Sequence, residues 1–518
     1  MSQIPESKKR NPRLPLLVFG GFFLLGALLL GLQSPWGIGV YHDSVYYLTS
    51  AENLMAGNGL AWFGDGGELR ALTHFAPLYP LTLTPGVFLG MEAANAARLL
   101  AAMFYGANIA LLGWIIYHLT RRLWLGALCA AMALLSSVIL GVHLLAMSEP
   151  EFLLAAMACL AAIAHYLTTG ERRSFYLAIA LAALSYLTRY VGIVVLATGA
   201  LSLLLLGARP LRKRLQDAFV FGLAAFLPMA LWMARNYVHT GSLTNRTLRF
   251  HPPQLAKIKQ FAATVVGWVS PFRLTAPGTF LILLAFAALL GLFLYRVWKL
   301  RKSGCGPIFV FSGTALLFAL LYLASLAFSA TFFDASTPFD DRILSPLYVV
   351  FLLLIVLATH ETLASHRLWM VLALVLLVVQ VGVQAPEAWR QITTLREEGI
   401  GFSSRAWQES ETVAFVASLP QDVTIYSNEK SALVFLTGQL PYAVPEKTDP
   451  VKAEVRDYYD EAMQAMRERL SAANAYLVVF HADQLREGMP PKSEIIAGFE
   501  LYLAFDDAEI YTASSGVE

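Results

Sequence analysis

The chain has 518 residues, of which 57% are hydrophobic and 14% charged, and its mean hydropathy is +0.57. Most of it is built for lipid, which excludes a soluble globular enzyme as a description of the whole. A formal net charge of +2, from 38 basic and 36 acidic residues, gives no basic face for a nucleic acid, and no nucleic-acid partner is expected.

Residues 1–13 are polar and are expected to form a disordered cytoplasmic tail. Apolar stretches of membrane-spanning length follow at 14–32, 99–119, 123–142, 150–168, 218–234, 279–297, 308–329, 344–359 and 368–385. The stretch 175–206 is interrupted by Arg189 and flanked by Arg172-Arg173 and by Arg209, Arg212, Lys213 and Arg214. At about 1.5 Å per residue it is too long for one crossing, so it reads as a hairpin of two short helices meeting around Arg189. That brings the count to 11 spans. Lys and Arg fall on alternate loops, 17 on the set that starts with Lys8, Lys9, Arg10 and Arg13 and 10 on the other. The positive-inside rule then places the N-terminus in the cytoplasm and residues 386–518 outside. The first span, with no clear small-x-small exit before Gln33, reads as a retained signal-anchor.

The acids of the membrane part gather on the outer side. Asp43 opens a segment with Val45, Leu48, Glu52 and Met55 at helical spacing, expected to be an amphipathic helix on the outer membrane surface. There Asp43 is either an N-cap or a functional carboxylate. Glu149, in Met147-Ser-Glu-Pro-Glu-Phe152, stands at the start of a span with the same two readings. Arg189, in Tyr186-Leu-Thr-Arg-Tyr-Val-Gly192, either snorkels to the interface or binds an anion at the tip of the broken hairpin. The outer loop 33–98 is too long for a simple connection, and Pro77, Pro80 and Pro85 deny it a continuous spanning helix, so that piece is expected to lie on the outer leaflet or dip into it. His42, His74 and His143 project from the same side and, with Asp43 or Glu149, could compose a divalent-metal site, although nothing in their spacing requires one and no other cofactor is indicated. Cys129, Cys159 and Cys305 offer no disulfide framework.

From Pro386 the charged fraction rises to that of a soluble domain, with the joint near Gln384 to Trp389. Strands are expected at 423–427, 475–480 and 501–505 and a charged amphipathic helix over 451–473, with Ser427-Asn428-Glu429 at a strand end. The fold class is thus a polytopic α-helical membrane protein with outer-surface amphipathic helices and a C-terminal soluble α/β domain. That domain has no nucleotide-binding glycine motif and is expected to bind acceptor or partner.

Several motifs recur in a recognisable order. They are Asp43 soon after the first span, Pro77-Leu-Tyr-Pro80, Ser148-Glu-Pro150, Leu187-Thr-Arg-Tyr-Val-Gly192, Trp232-Met-Ala-Arg-Asn-Tyr237 with Gly241, and Phe339-Asp-Asp-Arg-Ile-Leu-Ser-Pro346. Over roughly residues 10–385 the chain resembles the GT-C superfamily of integral-membrane glycosyltransferases, in the branch of the protein O-mannosyltransferases and the lipid A aminoarabinose transferase. The resemblance implies inverting transfer of a sugar from a polyprenyl-monophosphate carrier to an acceptor hydroxyl on a lipid, glycan or protein, in the cell envelope at the outer face of a bacterial inner membrane. It implies Asp43 as general base and Glu149 as a residue that positions donor or acceptor. Arg189, Arg235 and Arg342 would then bind the donor phosphate, and His42, His74, His143, Tyr46 and Tyr79, with Trp62, would line the substrate site. The chain departs from the common pattern in having His42-Asp43-Ser44 where an acidic pair is usual. The alternative function is a transporter or flippase for a lipid-linked or anionic substrate, with its site at the Arg189 hairpin.

Overall fold

The structure, a computed structural model, describes residues 13–252, 254–270, 272, 274–300, 306–362, 367–452, 454–471, 474–481 and 484–513. The expected tail, apart from Arg13, and Cys305 lie outside the described residues. The helices of the first part are α1 (Leu14–Leu32), α2 (His42–Met55), α3 (Leu78–Phe88), α4 (Ala93–Thr120), α5 (Leu123–Leu134), α6 (Ser137–His143), α7 (Glu149–Thr169), α8 (Arg172–Thr188), α9 (Ile193–Leu205), α10 (Leu211–Thr240), α11 (Leu255–Gly267), α12 (Ala276–Leu300), α13 (Pro307–Phe332), α14 (Asp341–Thr362) and α15 (Arg367–Glu397). Among the described residues α1, α4, α7, α10, α13 and α14 are long and apolar enough to cross a membrane, and α5 with α6 makes a seventh if that bent pair is one broken span. Their inward faces form one continuous apolar core through Tyr105, Phe152, Phe221, Phe318 and Tyr348. The outward faces stay apolar, as Leu17, Leu28, Phe219 and Leu320 show, which is the pattern of helices immersed in lipid.

Three expectations need correction. The stretch 123–142 is not one helix: it bends by 59° between α5 and α6, because Ser136 accepts the Ile139 N–H at 3.2 Å and starts a new helix. The proline-rich piece of the loop is α3, a helix of 11 residues and so not a spanning one. Pro80 falls in its first turn, where no N–H is needed, and only Pro85 lies inside. The segment opened by Asp43 is not laid on lipid: eight of the 14 residues of α2 are buried, against α3, α4 and residues of the C-terminal part. The joint expected at 384–389 falls within α15, which runs on through Pro386. A change of solvent along the chain is not a break in its helix. The helix expected over 451–473 is shorter, Tyr459–Leu470.

The hairpin around Arg189 is present. Arg189 is extended (φ −148°, ψ 140°) between α8 and one 3-10 turn, Tyr190–Gly192, that leads into α9. Gly192 is required there, because a Cβ would overlap the carbonyl of Ser185. The loop between α2 and α3 carries a two-stranded hairpin, β1 (Ala61–Phe63) and β2 (Leu69–Ala71). The remaining strands are β3 (Thr424–Ser427), β4 (Tyr442–Ala443), β5 (Thr448–Asp449), β6 (Glu454–Val455), β7 (Ala475–Phe480), β8 (Phe499–Ala504) and β9 (Ala508–Ala513). β3 pairs in parallel with β4 and β7, while β9 pairs antiparallel with β7 and β8, giving the order β4-β3-β7-β9-β8. Along β7 the side chains alternate between two cores. Leu477 and Val479 pack with Met463 and Met466, and Val478 and Phe480 pack with Val416 and Leu433.

Candidate active site

A cavity of about 1120 Å³ lies between the first turns of α2, the loop of residues 56–77 and the C-terminal sheet. Asp43, His42 and Tyr46 reach it from α2, Trp62, Asp65, Arg70 and His74 from the loop, and Asn428, Lys430, Tyr442, Arg456 and Arg486 from the C-terminal part. Backbone pairing fixes the entry to α2. Gly39 N–H donates to Leu144 O at 2.8 Å, Ala146 N–H to Gly39 O at 2.8 Å, and Phe402 N–H to Val40 O at 2.8 Å. The chain before Asp43 is thereby held between the α6–α7 connection and the segment after α15. The helix begins at His42, and its capping contact is Tyr41 N–H to Ser44 Oγ at 3.1 Å. Asp43 is therefore not the N-cap.

Behind Asp43 stands a row of alternating charges. Arg342, in the first turn of α14, places Nη1 3.6 Å from Asp43 Oδ2 and 3.2 Å from Glu149 Oε1. Arg189 reaches the same Glu149 oxygen from the hairpin at 2.7 Å and donates to Ser148 Oγ at 3.2 Å. Ser148 Oγ also lies 3.3 Å from the hydroxyl of Tyr47, a buried residue of α2. Side-chain exposure is 43% for Asp43, 26% for Arg342, 5% for Glu149 and 21% for Arg189. Glu149, at the middle of the row, is the most enclosed of the four. Glu149 Oε2 has no hydrogen-bond partner among the described residues.

The other expected residues separate. Tyr46 lines the cavity and meets Trp62 edge-to-face at 4.6 Å. His74 also lines it, edge-on to Phe75, its pKa lowered by burial and by Arg246. Three residues do not join them. Tyr79 is 2% exposed and packs edge-on against Tyr47. His143 is fully buried, with Nδ1 2.6 Å from Ile139 O and Nε2 3.1 Å from Asn108 Nδ2, a core histidine with both nitrogens satisfied. Arg235 donates to Leu72 O at 2.8 Å and Leu60 O at 3.2 Å and lies over the Trp232 ring, so it fastens the base of the β1–β2 hairpin. The suggested metal ligands therefore do not converge, and among the described residues no group of three or more His, Cys, Asp or Glu is placed to hold a metal ion.

His42 has partners that sequence reasoning missed. Arg486 Nη1 lies 3.1 Å from His42 Nε2, and Glu429 Oε2 lies 3.5 Å from the same nitrogen. A guanidinium only donates, so Nε2 is the acceptor and the ring is neutral. Burial first, and then Arg486, lower its pKa to about 4. The contact with Glu429 is accordingly not an ion pair at neutral pH. Arg486 in turn meets Glu429 Oε1 at 3.3 Å and donates to Asn428 O at 2.6 Å. One residue further on, Lys430 Nζ donates to Asp65 Oδ1 at 2.8 Å. The only advance signal was Ser427-Asn428-Glu429 at a strand end.

A membrane bundle with a charged row ending at a cavity roofed by an α/β domain is an architecture found among solved structures. ArnT of Cupriavidus metallidurans in the apo state superposes with a TM-score of 0.57 at 14% identity, over 96% of this chain and 97% of that one. The same protein bound to undecaprenyl phosphate gives 0.51 at 13% identity, over 98% and 99%. The apo oligosaccharyltransferase of Archaeoglobus fulgidus gives 0.56 at 12% identity, over 99% of this chain and 76% of that one. No family model matches the sequence, and no curated protein does. At these identities the likeness is one of fold: the chain has the fold of the GT-C membrane glycosyltransferases that its motifs resemble.

Proposed function

We propose that this protein is an inverting glycosyltransferase of the cell envelope, moving a sugar from a polyprenyl-monophosphate carrier to an acceptor hydroxyl at the outer face of the membrane. The observation that carries the reading is Asp43 on the wall of a large outer cavity, backed by Arg342 at 3.6 Å and by Arg189 beyond it. In the reaction the acceptor oxygen attacks the anomeric carbon and gives its proton to the Asp43 carboxylate. The bond from that carbon to the carrier phosphate breaks, and the phosphate leaves with the electron pair. Arg342 and Arg189 neutralise that charge, while Glu149 holds the two guanidiniums in place and is a positioning residue. Solved relatives in fold support the carrier, since one holds undecaprenyl phosphate.

In this reading the chain crosses the membrane 11 times, with the N-terminus cytoplasmic and the C-terminal domain outside the plasma membrane of a bacterium. Residues 14–385 form the membrane unit and 386–518 the outer unit, with α15 running through both. The row of charge ends at one face of the bundle, which suits a reaction centre better than a transport path.

The test is single-turnover consumption of undecaprenyl-monophosphate-linked sugars by the purified protein, with a membrane lipid extract as acceptor source. Wild type should consume donor, and Asp43→Asn should lose 10²- to 10⁴-fold in rate, the ordinary worth of a general base. Donor left intact by wild type but carried across a liposome bilayer would replace this reading with the transporter.

A further inference from the structure

The base sits on a helical turn whose own capping contact is Tyr41 N–H to Ser44 Oγ, and the side-chain partner of Asp43 is Arg342, at the long distance of 3.6 Å. Catalysis by a positioned carboxylate tolerates little drift, since a misplacement of about 1 Å can cost on the order of 10²-fold. Backbone pairing at Gly39 and Val40 holds the chain that enters this turn, and the side chain next to Asp43 is gripped from the C-terminal domain. His42 takes a hydrogen bond from Arg486 at 3.1 Å and packs edge-on against Phe402 at 5.1 Å. Arg486 is itself locked, by Glu429 at 3.3 Å and by the carbonyl of Asn428 at 2.6 Å. Asn428 is buried and exchanges bonds with Phe480 of β7, donating to its carbonyl at 2.8 Å and accepting from its N–H at 2.8 Å. The grip therefore runs without a gap from the central strand of the outer sheet to the first turn of α2.

We infer that the C-terminal domain completes the catalytic centre: Arg486, braced by Glu429, holds His42 and through it sets the position from which Asp43 takes the acceptor's proton. Arg486 and Glu429 are positioning residues, contributed by a domain that carries no part of the phosphate site. The inference rests on the glycosyltransferase reading above. It goes further in making catalysis depend on a polar contact between two parts of the chain more than 400 residues apart.

The experiment uses the full-length protein, with undecaprenyl-monophosphate-linked sugar as donor for turnover and undecaprenyl phosphate as the probe of binding. Arg486→Ala should slow donor consumption roughly 10- to 100-fold while undecaprenyl phosphate binds as to wild type; a merely structural lesion would move both. His42→Ala should give the same loss with Arg486 and Glu429 still paired. In the double variant the losses should not multiply, because both break one contact. Lys492→Ala, which removes an ion pair with Glu509 elsewhere in the same domain at 2.7 Å, should leave the rate unchanged. Multiplying losses, or a wild-type rate for Arg486→Ala in a protein whose Asp43→Asn variant is dead, would overturn the inference and leave the function standing. Failure of the wild type to consume any donor would sink the function itself.

Discussion

Replacing Glu149 by Gln is the most demanding test of the charged row. One oxygen, Oε1, serves Arg189 at 2.7 Å and Arg342 at 3.2 Å, and the side chain is 5% exposed. At an effective dielectric of about 20 and charge centres about 4 Å apart, each attraction is worth roughly 4 kcal/mol before desolvation is counted. Breaking a buried pair by removing one partner costs about 3–5 kcal/mol, because the remaining charge is stranded. Here Arg189 loses its carboxylate partner and Arg342 keeps only Asp43, at 3.6 Å, so the loss should sit at the upper end of that range, near 5 kcal/mol. Spread over an unfolding entropy of about 2.1 cal/mol/K per residue, that is a fall in Tm on the order of 5 °C, readable by thermal unfolding in detergent. Removing one of the stranded cations as well, in Glu149→Gln with Arg189→Gln, should recover part of the stability and none of the activity. A Glu149→Gln protein that melts within about 1 °C of wild type would refute the account, since the row would then not be a buried network.

Gly192→Ala should be destabilising by about 1–3 kcal/mol, the usual cost of overpacking, because its Cβ would meet the Ser185 carbonyl; Gly222→Ala, in open space, is the control, and equal melting of the two would contradict the packing at the hairpin. Arg235→Ala takes its donor from the carbonyl of Leu72 and leaves that of Leu60 with only the Leu72 N–H, and should cost about 1–3 kcal/mol, seen as faster proteolysis of the β1–β2 hairpin; an unchanged cleavage rate would remove its fastening role. The imidazole of His42, facing Arg486, Glu429 and Asp43, should titrate by NMR near pH 4 instead of 6.5. Its folded pKa is depressed, so the unfolded chain takes up a proton first; the stability from this site is full above about pH 6.5 and falls as the pH drops toward 4. Glu429, whose pKa burial raises, works in the opposite sense just above its ordinary range. A midpoint for His42 near 6.5 would show that neither the burial of the ring nor the Arg486 contact holds in solution.

How much of this was legible in the sequence depended on the range of the physics involved. Asp43, Glu149, Arg189 and Arg342 could be singled out because an ionisable group beside a long apolar run is expensive in lipid, and that cost is visible within a few residues of the group. They are brought together, through Glu149 and Arg342. The same reasoning misplaced His143 and Arg235, which look no different in sequence. His143 is satisfied by a carbonyl one turn back and by Asn108 on another helix, and Arg235 by carbonyls more than 160 residues away. The break at Ser136 was written locally, as a serine cap inside an apolar run, yet apolar content outweighed it in the span count. The grip of Arg486 on His42 depends on how the outer sheet is seated over α2, which no periodicity records.

The decline in exposure from Asp43 inward has a chemical consequence for the proposed reaction. Glu149 is compensated twice and buried, so its charge is fixed, whereas Asp43 shares Arg342 with Glu149 at the longer of the two distances, 3.6 Å against 3.2 Å. A carrier phosphate arriving at Arg342 competes with the more weakly held carboxylate. Asp43 then loses its ion-pair partner when donor binds, which frees its carboxylate to turn to an acceptor hydroxyl. Donor binding would thus release the base, and an empty site would keep it paired with Arg342. Modification of Asp43 by a water-soluble carbodiimide should accordingly rise when undecaprenyl phosphate is added, and the rise should vanish in Arg342→Ala. Protection of Asp43 by the lipid in wild type and variant alike would mean that the phosphate merely covers the carboxylate, and the coupling would fall.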